Sequence, residues 1–296
     1  MGNGVHDALA TRQCNTSFPA RRTRCRQPAY PFSDFLFFLR NWKNVQGFVG
    51  LSTAYFVHLV SLAQCDIGIA GAVGEIGVAA GKSFAVLAFT RRGNESLLAC
   101  DLFSVGLEKD NVPEANLPMF LDLLDYLHIP QHDPAVLKRS SHGLSDRELV
   151  TTGGGRGYRL FHVDGAHYAE ATLADLNIAA CSLVPGGVVL VDDLHNLRWP
   201  GVQEGFHRYM LAEPPPQQLE PFLYTGRLFL TTPGYAEVYR RAVRTLQPQV
   251  KSRRLYGAEL LTTGDVEVAV EDFERLYQGR IPTVERSELE AAESMS

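Results

Sequence analysis

Residues 158–194, YRLFHVDGAHYAEATLADLNIAACSLVPGGVVLVDDL, decide the architecture of this chain. Residues 158–163 are apolar and aromatic for the most part, without glycine or proline, which predicts a strand. Asp164 and Gly165 make a turn. A helix beginning at His167 then brings Ala169, Leu173, Leu176, Ala180 and Leu183 to one face at the 3.6-residue period. Pro185, Gly186 and Gly187 stop it, and residues 188–191, VVLV, form a strand covered on both faces. Strand, helix, strand implies a parallel sheet. Both strands run into acid, Asp164 after the first and Asp192 with Asp193 after the second. Ligands of open parallel sheets bind outside the carboxyl ends of the strands, so three carboxylates converge on the expected site.

The same alternation extends upstream. A strand over residues 72–77 runs into Glu75, Gly77 and Gly81, and a helix starts near Lys82. Three ligand classes compete for this loop. The dinucleotide fingerprint G-x-G-x-x-G requires a different glycine spacing. A phosphate loop, G-x-x-x-x-G-K-[ST], would use Gly81, Lys82 and Ser83, with Asp192 and Asp193 as its magnesium-binding strand. Its first glycine falls at Ile76, and starting from Gly77 leaves the loop one residue short. The third pattern is E-x-G-x-x-x-G, in which a carboxylate suits a ligand bearing cations better than one bearing phosphates.

A second strand, residues 96–103, carries Asp101, and an acid about 20 residues beyond a glycine loop can accept both ribose hydroxyl protons of an adenosine. Residues 113–129 show Leu117, Phe120, Leu121, Leu124 and Leu127 at helical spacing and serve as scaffold. A short strand over residues 135–141 offers Ser141 or His142 to an adenine ring. The glycine run at 151–157 is a turn before the next strand, because no helix follows it. Downstream, residues 219–223 and 227–231 predict a hairpin, and residues 235–246 a closing helix.

The 296 residues carry a net charge of −5, are 45% hydrophobic and 21% charged, and suffice for one principal α/β domain. That balance gives no field for phosphate backbones, so nucleic acid is not an expected partner. The most apolar window, residues 48–63, is too short for the roughly 20 residues of a membrane helix, so no membrane is expected either. Five cysteines, Cys14, Cys25, Cys65, Cys100 and Cys181, show no metal-ligand spacing. Cys100 and Cys181 sit in apolar runs, as small buried hydrophobes do, which suggests a reducing compartment, the cytoplasm. The expected organisation is a basic tail or organelle-targeting segment over 1–30, a helical extension over 31–66, the main domain over 67–283 and a loose acidic tail over 284–296.

VDGAHYAEATLADL followed by LVPGGVVLVDDLHNLRWPGVQEGF resembles the class I S-adenosylmethionine-dependent methyltransferases. It is most similar to the metal-dependent O-methyltransferases that act on macrolide sugars, with their D-G-x-H turn and G-G-x-hydrophobic-x-D-D strand. The resemblance covers residues 72–232 and is strongest over 158–205. It implies a doubly wound, Rossmann-like, seven-stranded sheet in the order 3-2-1-4-5-7-6 with an N-terminal helical extension.

Carried over by position, Glu75, Gly77, Gly81, Ser83, Asp101 and Ser141 would hold S-adenosylmethionine. Asp164, Asp192 and Asp193 would hold Mg2+ or another divalent cation. Asp164 would also stand near the reacting hydroxyl, and His167 or His195 would take its proton. A hard cation held by oxygens lowers the pKa of a hydroxyl and orients it. Where family members often have an acid beside the turn histidine this chain has Ala166, so a metal-independent enzyme stays open. The expected partner is a small-molecule acceptor bearing a hydroxyl, in a pocket lined by the N-terminal helices and the loops around His142, His195 and Trp199. A homo-oligomer is allowed for, with the oligomeric state otherwise left open. The alternatives are a phosphotransferase using Lys82 and Ser83 and a non-catalytic cofactor-binding protein with a degenerate site.

Overall fold

The structure, a computed structural model, describes residues 14, 18, 25–103, 116–213, 217–264 and 266–278. Seven strands follow the order expected from the resemblance: β1 (Ala72–Ile76), β2 (Leu97–Asp101), β3 (Pro134–Lys138), β4 (Tyr158–Val163), β5 (Leu183–Val191), β6 (Glu220–Tyr224) and β7 (Leu228–Thr231). Two more, β8 (Lys251–Leu255) and β9 (Ala258–Thr262), correct the strand count from seven to nine, in the order β3-β2-β1-β4-β5-β7-β6-β9-β8. β9 runs parallel to β6, and β8 turns back antiparallel as the edge. Lys251, Arg253 and Arg254 on that edge lie exposed, and charge of this kind discourages pairing with another sheet.

β1 to β5 are parallel, and β4 is buried along its whole length. The connecting helices are α3 (Lys82–Ala88), α4 (Leu117–Tyr126), α5 (Asp146–Thr152), α6 (Ala169–Ser182) and α7 (Pro200–Met210). α6 starts two residues later than predicted and ends at Ser182, and Pro185–Gly187 lie inside β5 rather than ahead of it. The strand starts early because Leu183 pairs with Tyr158, with an irregularity before Leu160 and Val188 align. The expected N-terminal part of the helix before β3, up to residue 115, lies outside the described residues.

The helical extension consists of α1 (Phe32–Arg40) and α2 (Leu51–Asp66). Together with α3, α8 (Ala236–Leu246) and α9 (Val270–Tyr277), they belong to a core covering one sheet face. α2 is buried around most of its circumference, as a helix without a polar face must be. His58 on α2 is a core histidine. Its Nε2 lies 3.1 Å from the Val86 carbonyl and its Nδ1 2.6 Å from the Tyr277 hydroxyl, and burial pushes its pKa down to about 3.

Arg159 of β4, fully buried, locks the extension to the sheet. Its guanidinium donates to both Glu95 carboxylate oxygens, to Ser61 Oγ and Gln64 Oε1 on α2, and to the Thr90 carbonyl. With its donors so satisfied, a buried arginine is tolerated, and its pair with Glu95 is screened little by water.

The cysteine expectation is corrected here. Cys14 is bonded to Cys181 and Cys25 to Cys65, leaving Cys100 free and buried. Cys181 is therefore half of a cross-link rather than an inert buried thiol. Such pairs persist in oxidising surroundings, so the argument for a reducing compartment no longer holds. Packing also begins before residue 31, since Pro28 bridges to Arg92 and Tyr30 is buried. Apart from residues 14, 18 and 25–30, segment 1–30 lies outside the described residues, as does all of the expected acidic tail, 284–296. No helix among the described residues is long and apolar enough to cross a membrane.

Candidate active site

The carboxyl ends of β2, β1, β4 and β5 are laced together by backbone hydrogen bonds. Gly77 N–H donates to the Cys100 carbonyl, Asp164 N–H to Ile76 and Asp192 N–H to Val163. Each candidate residue just past a strand end is thereby held beside the next. Gly77 shows how close the fit is: at φ +86° it lies so near Asp164 that a Cβ would stand 1.6 Å from the Asp164 carbonyl oxygen. Gly81, at φ +97°, turns the chain into α3, where a Cβ would stand 2.7 Å from Phe120 of α4. Both glycines are demanded by packing, whatever else they admit.

Asp101 braces the loop from the next strand end. One of its oxygens accepts from Ala79 N–H at 2.8 Å and the other from Phe103 N–H at 2.6 Å. A carboxylate oxygen has two lone pairs, so each retains capacity for a ribose hydroxyl. Ser83 sits half-buried in the first turn of α3. Lys82, by contrast, donates to the Trp42 carbonyl at 2.8 Å and lies over the Trp42 ring, so it is engaged away from any phosphate. Ser141, after β3, bonds to Asp175 of α6, while His142 is exposed. Asp175 itself is buried, and burial lifts its pKa to about 7.

Asp164, His167 and Asp193 come together at the ends of β4 and β5. One ligand atom from each lies within 4.8 Å of the others, and Glu75, His162 and Asp164 form a second such group. His167 Nε2 stands 3.2 Å from Asp193 Oδ2 and 3.9 Å from Asp164 Oδ1, and its ring stacks on Trp199 with centroids 4.3 Å apart. Burial would lower the His167 pKa, but the two carboxylates outweigh it and lift it to about 10. Asp193 moves the other way. Burial would raise it, yet the hydrogen bonds from His167 and Asn196 hold it below the usual range. Its φ of +54° is a conformation that aspartate tolerates better than most residues and that aims the carboxylate at His167.

Asp192 is placed differently from its neighbour. Its Oδ1 accepts from Asp193 N–H at 2.8 Å and its Oδ2 is ion-paired to Arg227. Burial and the charge of Asp164 push its carboxyl up to about 7 against the pull of Arg227 and His162. Arg227 Nε donates to His162 Nε2 at 3.1 Å, which leaves Nδ1 carrying the proton and donating to Glu75 Oε1 at 2.6 Å. Glu75 is fully buried, and its Oε2 has no hydrogen-bond partner among the described residues. His195 is exposed, its ring edge-on to Tyr224 at 5.0 Å and in neither ligating group.

The fold thus brings together Asp164, His167 and Asp193 of the expected residues and sets beside them His162, Asp175 and Arg227, which the sequence reading did not single out. The signal for His162 was present: a histidine inside an otherwise apolar strand, YRLFHV, demands a buried partner.

Residues 75–194 match the family described as a methyltransferase domain. No curated protein matches the sequence. Solved structures similar to this one include the O-methyltransferase NovP, at 12% identity and TM-score 0.48 over 62% of this chain and 81% of that one. CalS11, a TDP-rhamnose 3'-O-methyltransferase of calicheamicin biosynthesis, aligns at 17% identity and TM-score 0.46 over 67% and 92%. An O-methyltransferase from Bacillus cereus in complex with SAH aligns at 12% and TM-score 0.45 over 68% and 90%. The segment that matches the methyltransferase-domain family runs from Glu75, ahead of the glycine loop, through the acid pair to Leu194, and so takes in the strand ends that carry the candidate site.

Proposed function

We propose that this protein transfers a methyl group from S-adenosylmethionine to a hydroxyl of a small molecule, assisted by a divalent cation. The observation carrying this reading is the abutment of the glycine loop on the acid cluster, with Gly77 packed against the Asp164 backbone. The residues fit both groups. Glu75 retains a buried oxygen without a partner, suited to a cationic ligand end, and Asp101 retains lone pairs for a ribose. Asp164 and Asp193 offer hard oxygens beside one imidazole, the donor chemistry of a magnesium or manganese ion.

When bound, such a cation supplies Lewis-acid activation of the acceptor hydroxyl. Asp164 and Asp193 would hold it, and His167 would receive the hydroxyl proton at Nε2. In the bare cluster His167 keeps its own proton, because the two carboxylates favour the imidazolium. With their charge turned to a bound cation, Asp164 and Asp193 would favour the imidazolium less, and His167 would then serve as the base. Trp199, stacked on the ring, fixes its plane. The acceptor oxygen then bonds to the methyl carbon, the carbon–sulfur bond breaks, and the electron pair stays on sulfur, which becomes a neutral thioether. Positioning of the oxygen behind that carbon supplies much of the rate. The acceptor pocket would be formed around Trp199, with His142 and His195 at its exposed margin.

Calorimetry with S-adenosylhomocysteine and with ATP tests the cofactor assignment. Binding of the first and silence from the second is expected, and the reverse would overturn it. On an acceptor found by screening hydroxylated small molecules, His167→Gln should lower kcat by about a hundredfold or more. Activity surviving in both His167→Gln and Asp164→Asn would remove this cluster from the mechanism.

A further inference from the structure

The acid pair after β5 is split. Asp193 faces Asp164 and His167, whereas both oxygens of Asp192 are already engaged, one by Asp193 N–H and one by the Arg227 guanidinium. Arg227 is almost wholly buried at 5% exposure and is fixed at a second point by its Nε–H on His162, which is anchored in turn by Glu75. An arginine does not lose its charge at any pH a protein survives. Its attraction for Asp192 is screened little at this depth. Any ion recruiting Asp192 must therefore displace a cation that the fold already holds there. Asp192 is accordingly in neither ligating group formed among the described residues.

We propose that Arg227 is a positioning residue, a built-in competitor that withholds Asp192 from the divalent cation and leaves Asp164 and Asp193 to bind it. The proposal rests on the metal-assisted reading above. Removing the guanidinium deletes a like charge beside the metal and frees a carboxylate, and both changes tighten metal binding. The probe is Mn2+ alone, titrated at fixed pH with the free ion counted by electron paramagnetic resonance. Arg227→Met and the gentler Arg227→Gln should each bind Mn2+ at least tenfold more tightly than the wild type, on the order expected for one unit charge a few ångströms away. Arg227→Lys keeps the charge and should stay within about threefold of the wild type, which a purely structural role would not produce. Should Arg227→Met fail to fold by near-ultraviolet circular dichroism, the glutamine and lysine variants decide. Equal or weaker Mn2+ binding by the uncharged variants overturns the role of Arg227 and leaves the metal-assisted reading standing. Absence of Mn2+ binding in every form, with S-adenosylhomocysteine still bound, overturns the metal reading and the competitor with it.

Discussion

Gly77→Ala is the substitution to which this fold should be most sensitive per atom added. The position combines φ +86° with a Cβ site 1.6 Å from a backbone carbonyl oxygen, where ordinary contact begins at 3.4 Å. Left-handed backbone costs a non-glycine residue about 1–2 kcal/mol. The clash must be relieved by parting the ends of β1 and β4, at the expense of the hydrogen bonds from Gly77 N to Cys100 O and from Asp164 N to Ile76 O, both 2.9 Å. At about 0.5–1.5 kcal/mol each, these bring the total to about 2–5 kcal/mol. For a domain of this size that is a fall in Tm of roughly 4–20 °C. Gly143→Ala is the control, since Gly143 has φ +82° and nothing within 4 Å, so only the backbone term applies. Urea unfolding followed by fluorescence measures both, and calorimetry with S-adenosylhomocysteine reports whether the loop has moved. If Gly77→Ala costs no more than Gly143→Ala, the strand ends are not coupled as described.

Other parts of the molecule yield equally direct expectations. Asp175 has its folded pKa raised to about 7 from an ordinary 3.8, so the native state holds a proton that the unfolded chain has released between those values, and stability falls as pH rises through that window. Asp175→Asn should match the wild type near pH 3 and exceed it by about 4 kcal/mol at pH 8, read by urea unfolding at each pH; no pH-dependent difference would refute the assignment. Arg159→Met strands Glu95 in the core and should cost about 3–5 kcal/mol, while Arg139→Met, at an exposed pair with Glu148, should cost under about 1 kcal/mol. Breaking the Cys25–Cys65 bond, which spans 40 residues, should cost about 4 kcal/mol by loop entropy, seen as a lower urea midpoint in Cys65→Ser. Cys100, buried and raised to about 12, should resist alkylation at pH 8 until the protein unfolds.

What could be foreseen in the sequence follows the range of each interaction. β1 to β7 announce themselves because apolar runs and turn residues are local signals, and Asp164 and Asp193 because a carboxylate after a parallel strand lies at its open end whatever the rest of the chain does. β8 and β9 were missed: KSRRLYGAELL carries charge on an exposed edge and lacks the alternation of a half-buried strand. α5, only seven residues long, is too short for helical periodicity to show. Arg227 and His162 are separated by 65 residues, and Cys14 and Cys181 by 167. Such partners meet only once the sheet order is known. For Gly77 the sequence offers a reason in the ligand, and the fold adds one that needs the sheet order to see, the close approach of the Asp164 backbone.

The two cross-links make residues 14 to 25 a chain segment fastened at both ends, to α6 through Cys14 and to α2 through Cys25. Backbone cleavage inside that segment therefore releases nothing. A piece severed there would stay attached to Cys181 until its sulfur bridge was reduced, so releasing it would take both a protease and a thiol.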